Sequence, residues 1–282
     1  MNKAIQIAYN ELFEKKCEIA ANAGFSNIAV NYTEILDKSE DEWKKITEDI
    51  GRILDKNALS CVQSHSHYYN PFESSEFIDE KMEFDIRQSI ISSAAIGAEY
   101  CVIHPRTAIS SGYRHSVSLA DNKKWFESLI ECAAKHGTKI AAENLPIFPS
   151  VNPIKPLFSS DPDHLIELVD SFNSDDIGVC WDFGHANLIN GDQSAMIKAL
   201  GNRIKCTHVH NNWGKRDDHA PPIYGNINWN EMMLALGSTG YTGALTLETH
   251  CWYEDEFLLL SFAKHNYDSL LYLESLISKE TV

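Results

Sequence analysis

Short apolar runs alternate with longer amphipathic stretches along the whole chain. The short runs fall at Ala4–Ala8, Asn27–Asn31, Leu59–Ser64, Tyr100–His104, Lys139–Glu143, Ile177–Asp182, Ile204–His210 and Ala244–Glu248. Apolar runs of this length, bounded by turn residues, predict strands. Between them apolar positions recur with helical period over Glu11–Ala23, Glu40–Lys56, Glu76–Ala98, Val117–His136 and Asp163–Phe172, then a sixth segment that closes with Met196–Leu200, then Trp229–Leu236 and Glu254–Leu276. Gly24 stands where the first helix should stop, and Ser39 and Glu42 have capping-box spacing ahead of the second.

Strict strand–helix alternation implies parallel strands joined by crossover helices. Eight such units predict a single (β/α)8 TIM barrel over residues 1–282, a usual length for one barrel. An open doubly wound sheet announces itself by a glycine-rich loop after its first strand. Here that loop reads Tyr9-Asn10-Glu11. The loops after strands three to seven are rich in His, Asn, Pro and aromatics, whereas Gly24-Phe25-Ser26 and His136-Gly137-Thr138 read as plain turns. A barrel produces that asymmetry, because its active site is built from the loops at one face.

Four successive apolar strands end in polar chemistry. Ile140-Ala141-Ala142 runs into Glu143, and Gly178-Val179-Cys180-Trp181 into Asp182. Ile204-Lys205-Cys206-Thr207 runs into His208-Val209-His210, and Leu245-Thr246-Leu247 into Glu248. A strand-end carboxylate is costly to desolvate unless it is paired or bound to metal. Three converging carboxylates repel one another, and a divalent ion removes the conflict. One Mn²⁺, Mg²⁺, Co²⁺ or Zn²⁺ ion suits a three-carboxylate, one-imidazole donor set. His208 and His210 share a strand face, so spacing leaves both open as the imidazole ligand.

A second ring surrounds the first. His65 and His67 follow strand three, His104 ends strand four, His185 stands three residues after Asp182, and Arg216-Asp217-Asp218-His219 follows strand seven. His250 sits two residues beyond Glu248, while His115, His136, His164 and His265 read as structural. Tyr9, Tyr68, Tyr69, Trp181, Trp213, Tyr224 and Trp252 could wall a sugar ring. No Gly-x-Ser-x-Gly elbow or His-Glu-x-x-His pair is present, and Cys180 and Cys206 read as small core residues.

The charge balance narrows the partners. Lys and Arg total 24 against 40 Asp and Glu, a formal charge of -16 with no basic run. Duplex nucleic acid demands the opposite. No 18-residue apolar stretch predicts a membrane span, and seven scattered Cys without Cys-x-x-Cys spacing suit a reduced, cytoplasmic protein. The oligomeric state stays open, a homo-oligomer included.

These motifs together resemble the xylose-isomerase-like TIM-barrel superfamily of sugar isomerases and epimerases, inosose dehydratases and endonuclease IV repair enzymes. The resemblance rests on Glu143-Asn144, Asp182-Phe183-Gly184-His185, His208-Val209-His210-Asn211-Asn212, Asp218-His219-Ala220-Pro221-Pro222 with Ile227-Asn228-Trp229, and Leu247-Glu248. It implies metal ligands Glu143, Asp182, His210 and Glu248, with Glu143 and Glu248 also moving protons. It implies substrate contacts from His185 and Arg216, with His65, His104 and His208 lining the pocket. The expected reaction is isomerisation or epimerisation of a sugar or sugar phosphate by proton abstraction beside a carbonyl, through an enediolate. The alternatives are an inosose-type dehydration and an endonuclease IV-like zinc phosphodiesterase, which would recruit His65, His104, His185, Asp217 and His219 as further ligands. Two departures reshape the rim. Pro222-Ile223-Tyr224-Gly225 replaces a common Pro-Gly-x-Gly, and Asn211, Asn212 and Trp213 stand where relatives often carry Asp.

Overall fold

A computed structural model describes residues 1–67, 80–108, 114–147, 157–189, 191–251 and 255–277. The strands are β1 (Lys3–Ala8), β2 (Asn27–Asn31), β3 (Ser60–His65), β4 (Tyr100–Ile103), β5 (Lys139–Glu143), β6 (Ile177–Asp182), β7 (Ile204–His208) and β8 (Leu245–Leu247). They form one parallel sheet in the order β7-β6-β5-β4-β3-β2-β1-β8. A single parallel bridge, Val209 to Leu247, joins its two ends and makes the sheet a (β/α)8 barrel. Around it lie α1 (Phe13–Ala23), α2 (Glu40–Lys56), α3 (Glu80–Ala95), α4 (His115–His136), α5 (Pro162–Asp170), α6 (Phe183–Ala186), α7 (Gln193–Leu200), α8 (Trp229–Ser238) and α9 (Glu256–Ile277).

The expected elements and the observed ones differ mainly at their starts. The first helix begins at Phe13 because the Asn10 side chain accepts the Leu12 N–H at 2.9 Å and holds Asn10 to Leu12 as a turn. The third and last helices are described from Glu80 and Glu256, so residues 76–79 and Glu254 of those expectations lie outside the described residues. The sixth begins at Gln193, where the Asp192 carboxylate caps the Ala195 N–H. The four-residue helix α6, directly after β6, has too short an apolar pattern to register in the sequence. Gly24 ends α1 at φ +110°, a conformation that costs glycine little.

Strand alternation sorts the interior into two cores. Outward side chains such as Ile28, Val30, Cys101, Ile103, Ile140, Ala142, Val179, Trp181, Leu245 and Leu247 pack against the helices. Inward ones at Tyr100, Val102, Ala141, Cys180 and Cys206 form a small separate plug inside the barrel. One inward position further along the same strands stand His104, Glu143, Asp182 and His208. Period-two geometry therefore lays a ring of buried polar groups directly on an apolar floor. Burial pushes the Cys180 thiol up to about 12, so it stays protonated as a packing group. Among the described residues, no helix is long and apolar enough to cross a membrane.

The expected capping box at α2 is formed. Ser39 Oγ accepts the Glu42 N–H at 3.4 Å, and the Glu42 carboxylate accepts the Ser39 N–H at 2.8 Å. Ser39→Ala should lower stability by about 1 kcal/mol, read as a shifted denaturation midpoint with an unchanged slope.

Candidate metal centre

The strand ends bring Glu143, Asp182, His208 and Glu248 together, with one ligand atom from each within 4.8 Å of all the others. His208 Nδ1 donates to Glu143 Oε1 at 2.9 Å and lies 3.1 Å from Glu248 Oε2 and 3.7 Å from Asp182 Oδ2. Glu143, Asp182 and His208 are fully buried, and the Glu248 side chain is 13% exposed. The imidazole that faces all three carboxylates is thus His208. His210, on the same strand face but beyond the ladder, reaches only Asp182 among them, its Nε2 at 3.0 Å.

Two further donor groups flank this one. His65, His104 and Glu143 form the first, with His104 Nε2 and His65 Nε2 at 3.0 and 3.2 Å from Glu143 Oε2. His185, His210, Asp217 and His219 form the second. There Asp217 Oδ2 lies 3.2 Å from His185 Nε2 and 3.1 Å from His219 Nε2. Glu143 belongs to two groups, and Asp182 reaches into the second through His210.

Local sequence explains the placement. Asp182 ends β6 and caps α6, accepting the His185 N–H at 2.6 Å, which turns the His185 ring inward. Asn144 clasps the same backbone. Its amide donates to the Asp182 carbonyl at 2.9 Å, and its own oxygen accepts the Asp182 N–H at 2.7 Å. His185 Nδ1 donates to the Asn144 carbonyl at 2.9 Å, leaving Nε2 for Asp217. Gly184 allows the His210 ring to approach, because a Cβ there would overlap that imidazole. Asn212 donates to the Gly184 carbonyl at 2.8 Å and Asn211 to the Pro222 carbonyl at 2.6 Å, so the departure at these two positions ties the β7 loop to α6 and the rim.

His219 sits at φ +44°, the left-handed region that residues other than glycine seldom adopt. It is held there by Nδ1 donating to the Glu248 carbonyl at 2.9 Å and by stacking between His210 (4.1 Å) and His250 (4.4 Å). This role for His219, and that of Asp217, went beyond the four-ligand expectation. The Asp-x-His spacing after strand seven was the available signal.

The charges are compensated by imidazoles. Burial alone would depress His208, but the carboxylates of Glu248 and Glu143 push it well above the usual histidine range. Burial likewise opposes ionisation of Glu143 and Glu248, yet neighbouring imidazoles, His208 foremost, hold both well below the usual carboxylate range. His219 is pushed up to about 9, its carboxylate neighbours Asp217 and Glu248 outweighing burial. Glu248 Oε2 and Asp217 Oδ1 are buried without a hydrogen-bond partner, Glu248 Oε2 because the one proton on His208 Nδ1 goes to Glu143. Orphaned carboxylate oxygens facing deprotonatable imidazoles are the donor chemistry of a divalent-metal site, so the residues fit such an ion.

Other expected contributors lie elsewhere. The Arg216 side chain is 85% exposed and pairs with Asp218, so it does not join the cluster. Trp181 is buried between barrel and helices, and Tyr9 packs on Phe13 and donates to Asp49, so neither walls the pocket. Trp213 and Tyr224 are exposed. Tyr68, Tyr69 and Trp252 lie outside the described residues.

Comparison with known proteins agrees with this architecture. The chain is 27% identical over 231 residues to an uncharacterized protein of Methanocaldococcus jannaschii, covering 76% of each. It shares its fold with a D-tagatose 3-epimerase-like protein at TM-score 0.72 and 21% identity, covering 96% of this chain and 98% of that one. It shares it also with a 3-keto-D-glucoside 4-epimerase from E. coli at TM-score 0.71 and 14% identity, covering 97% and 100%. The family model for the xylose isomerase-like TIM barrel matches residues 17–261, and the chain belongs to that family.

Proposed function

We propose that the chain is a divalent-metal-dependent sugar isomerase or epimerase. The observation that carries this reading is the convergence of Glu143 and Glu248 on His208 Nδ1, at 2.9 and 3.1 Å. Two carboxylates facing one space can take a proton from one side of a carbon and return one to the other. The 3-keto-D-glucoside 4-epimerase among the structural neighbours supports the same reading. An ion held by Glu143, Asp182, His208 and Glu248 would polarise the substrate carbonyl as a Lewis acid.

The two glutamates are not equivalent. Glu143 is 1% exposed, and its oxygens are engaged by His208, His104 and His65. Glu248 is nearer the opening, fixed through Oε1 by the Gln6 amide at 2.7 Å, while Oε2 accepts no hydrogen bond and has only the ion-pair approach of His208 Nδ1 at 3.1 Å. Glu248 Oε2 is therefore assigned the proton on the carbon beside the carbonyl. Glu248 returns the proton to the neighbouring carbon of the resulting enediolate for isomerisation, and Glu143 or water supplies one to the opposite face for epimerisation. Glu143 anchors the site, and His185 and His104 face the substrate oxygens.

A second reading is phosphoester hydrolysis at a centre of several ions. The specific observation in its favour is the pair of flanking donor groups, which share Glu143 and reach Asp182. The -16 balance directs that reading to a small phosphoester.

Incubating the protein with ketoses and aldoses in D₂O tests the first reading. Deuterium should enter at the carbon beside the carbonyl. Absence of exchange with every sugar, together with phosphoester cleavage and several ions per chain by metal analysis, would replace it with the second. Loss of water from the sugar would redirect it to dehydration. Glu143→Gln should abolish turnover and weaken metal affinity about 10- to 100-fold, whereas Glu248→Gln should lower kcat at least 100-fold with a smaller loss of metal. Normal turnover in either variant contradicts the assignment. Gly184→Ala should push His210 off Asp182 and lower metal occupancy, measured by elemental analysis of the folded variant.

A further inference from the structure

The ladder between β1 and β8 ends with Ile5 opposite Leu247. The next position along each strand is Gln6 and Glu248. There the side chains make the contact across the seam, Gln6 Nε2 donating to Glu248 Oε1 at 2.7 Å. Ile5 and Ile7 pack against the helix-side core, so alternation turns Gln6 to the inside of the barrel.

That contact settles which end of the Gln6 amide is which. An ionised carboxylate only accepts hydrogen bonds, so the amide nitrogen faces Glu248 and the oxygen faces away from it. Gln6 Oε1 is buried and, among the described residues, has no hydrogen-bond partner. A cavity of about 430 Å³ borders both side chains and leaves space beside them for a small molecule. Its other walls are mixed, Lys16, Asn31, Thr33 and Glu34 standing with apolar residues of α1 and α9. Such a lining selects neither an apolar nor a singly charged substituent. The selective group is Gln6 itself, an acceptor without a donor next to the carboxylate assigned the proton. In a sugar, the donor that fills it is a hydroxyl.

We propose that Gln6 determines specificity by acting twice: its N–H holds Glu248 Oε1, and its carbonyl oxygen accepts one substrate hydroxyl, which sets the carbon beside the carbonyl before Glu248 Oε2. One planar amide makes both contacts, so its two ends cannot move independently. The assignment rests on the sugar reading above and deepens it, making one hydroxyl a condition of proton abstraction and not of binding alone.

The test uses the full 282-residue chain loaded with divalent metal. The probes are ketoses and aldoses followed by deuterium uptake from D₂O, then analogues of the fastest-exchanging sugar that lack one hydroxyl each. For one of these hydroxyls, removal should lower kcat/KM at least about tenfold in the unmodified protein and about twofold or less in Gln6→Met, a non-additivity that a structural role would not produce. Gln6→Met should also lower kcat at least about tenfold through the loosened Glu248, with metal content unchanged by elemental analysis. Gln6→Leu carries the same expectations should the first variant not fold. Equal penalties in both proteins for every hydroxyl, or an unchanged kcat in a folded variant, overturns the role of Gln6 and leaves the sugar reading standing. Absence of deuterium uptake from every sugar overturns the sugar reading and the Gln6 assignment with it.

Discussion

Three carboxylates buried at one end of a barrel repel one another, and the whole upper half of this molecule is arranged around that repulsion. Glu143 and Asp182 cannot move apart, because each ends a strand whose next inward residue below, Ala141 or Cys180, packs in the barrel, and Glu248 directly follows β8 above buried Thr246. Their charge is instead answered locally, by His208 between them and by His65, His104, His185 and His219 around them. Buried charge of this kind contributes little to stability by itself. It is tolerated because the plug of Tyr100, Val102, Ala141, Cys180 and Cys206 and the larger helix–barrel core carry the fold. Stability and chemistry thus occupy different layers of the same strands.

That separation made much of the molecule readable in the sequence. All eight strands were visible because apolar runs interrupted by helical periods are strong signals, and Glu143, Asp182 and Glu248 were visible because a charge at the end of such a run has few benign explanations. The choice between His208 and His210 was not visible. Both side chains share one strand face, and only the end of the ladder at His208 decides which one looks at all three carboxylates. The helix α6 was hidden for a related reason, since four residues cannot show a period and its cap is Asp182 itself. Trp181 was misjudged as a pocket wall because an aromatic beside a site residue points, by alternation, to the opposite side of the sheet.

The solved relatives set limits on transfer. Identities of 14% and 21% at TM-scores above 0.7 describe a shared frame with replaced contents. Substrate preference belongs to the contents. In this chain they include Asn211 and Asn212 binding the β7 loop down and an Arg216 turned to solvent. Each differs in kind from Glu143, Asp182, His208 and Glu248, which the barrel strands bring together.

The barrel closes through one bridge, and that bridge is Val209 to Leu247, flanked by His208, His210 and Glu248. Backbone bonds from Val209 N–H to the Thr246 carbonyl, 2.7 Å, and from Glu248 N–H to the Val209 carbonyl, 3.2 Å, complete the joint. The thinnest seam of the cylinder and the cluster that holds His208 and Glu248 are therefore one place. An occupant that grips residues on both sides of the seam works like a clasp on a hoop, tightening the circumference as it binds. Occupancy and resistance to unfolding are then coupled by construction, and selection on either property acts on the other.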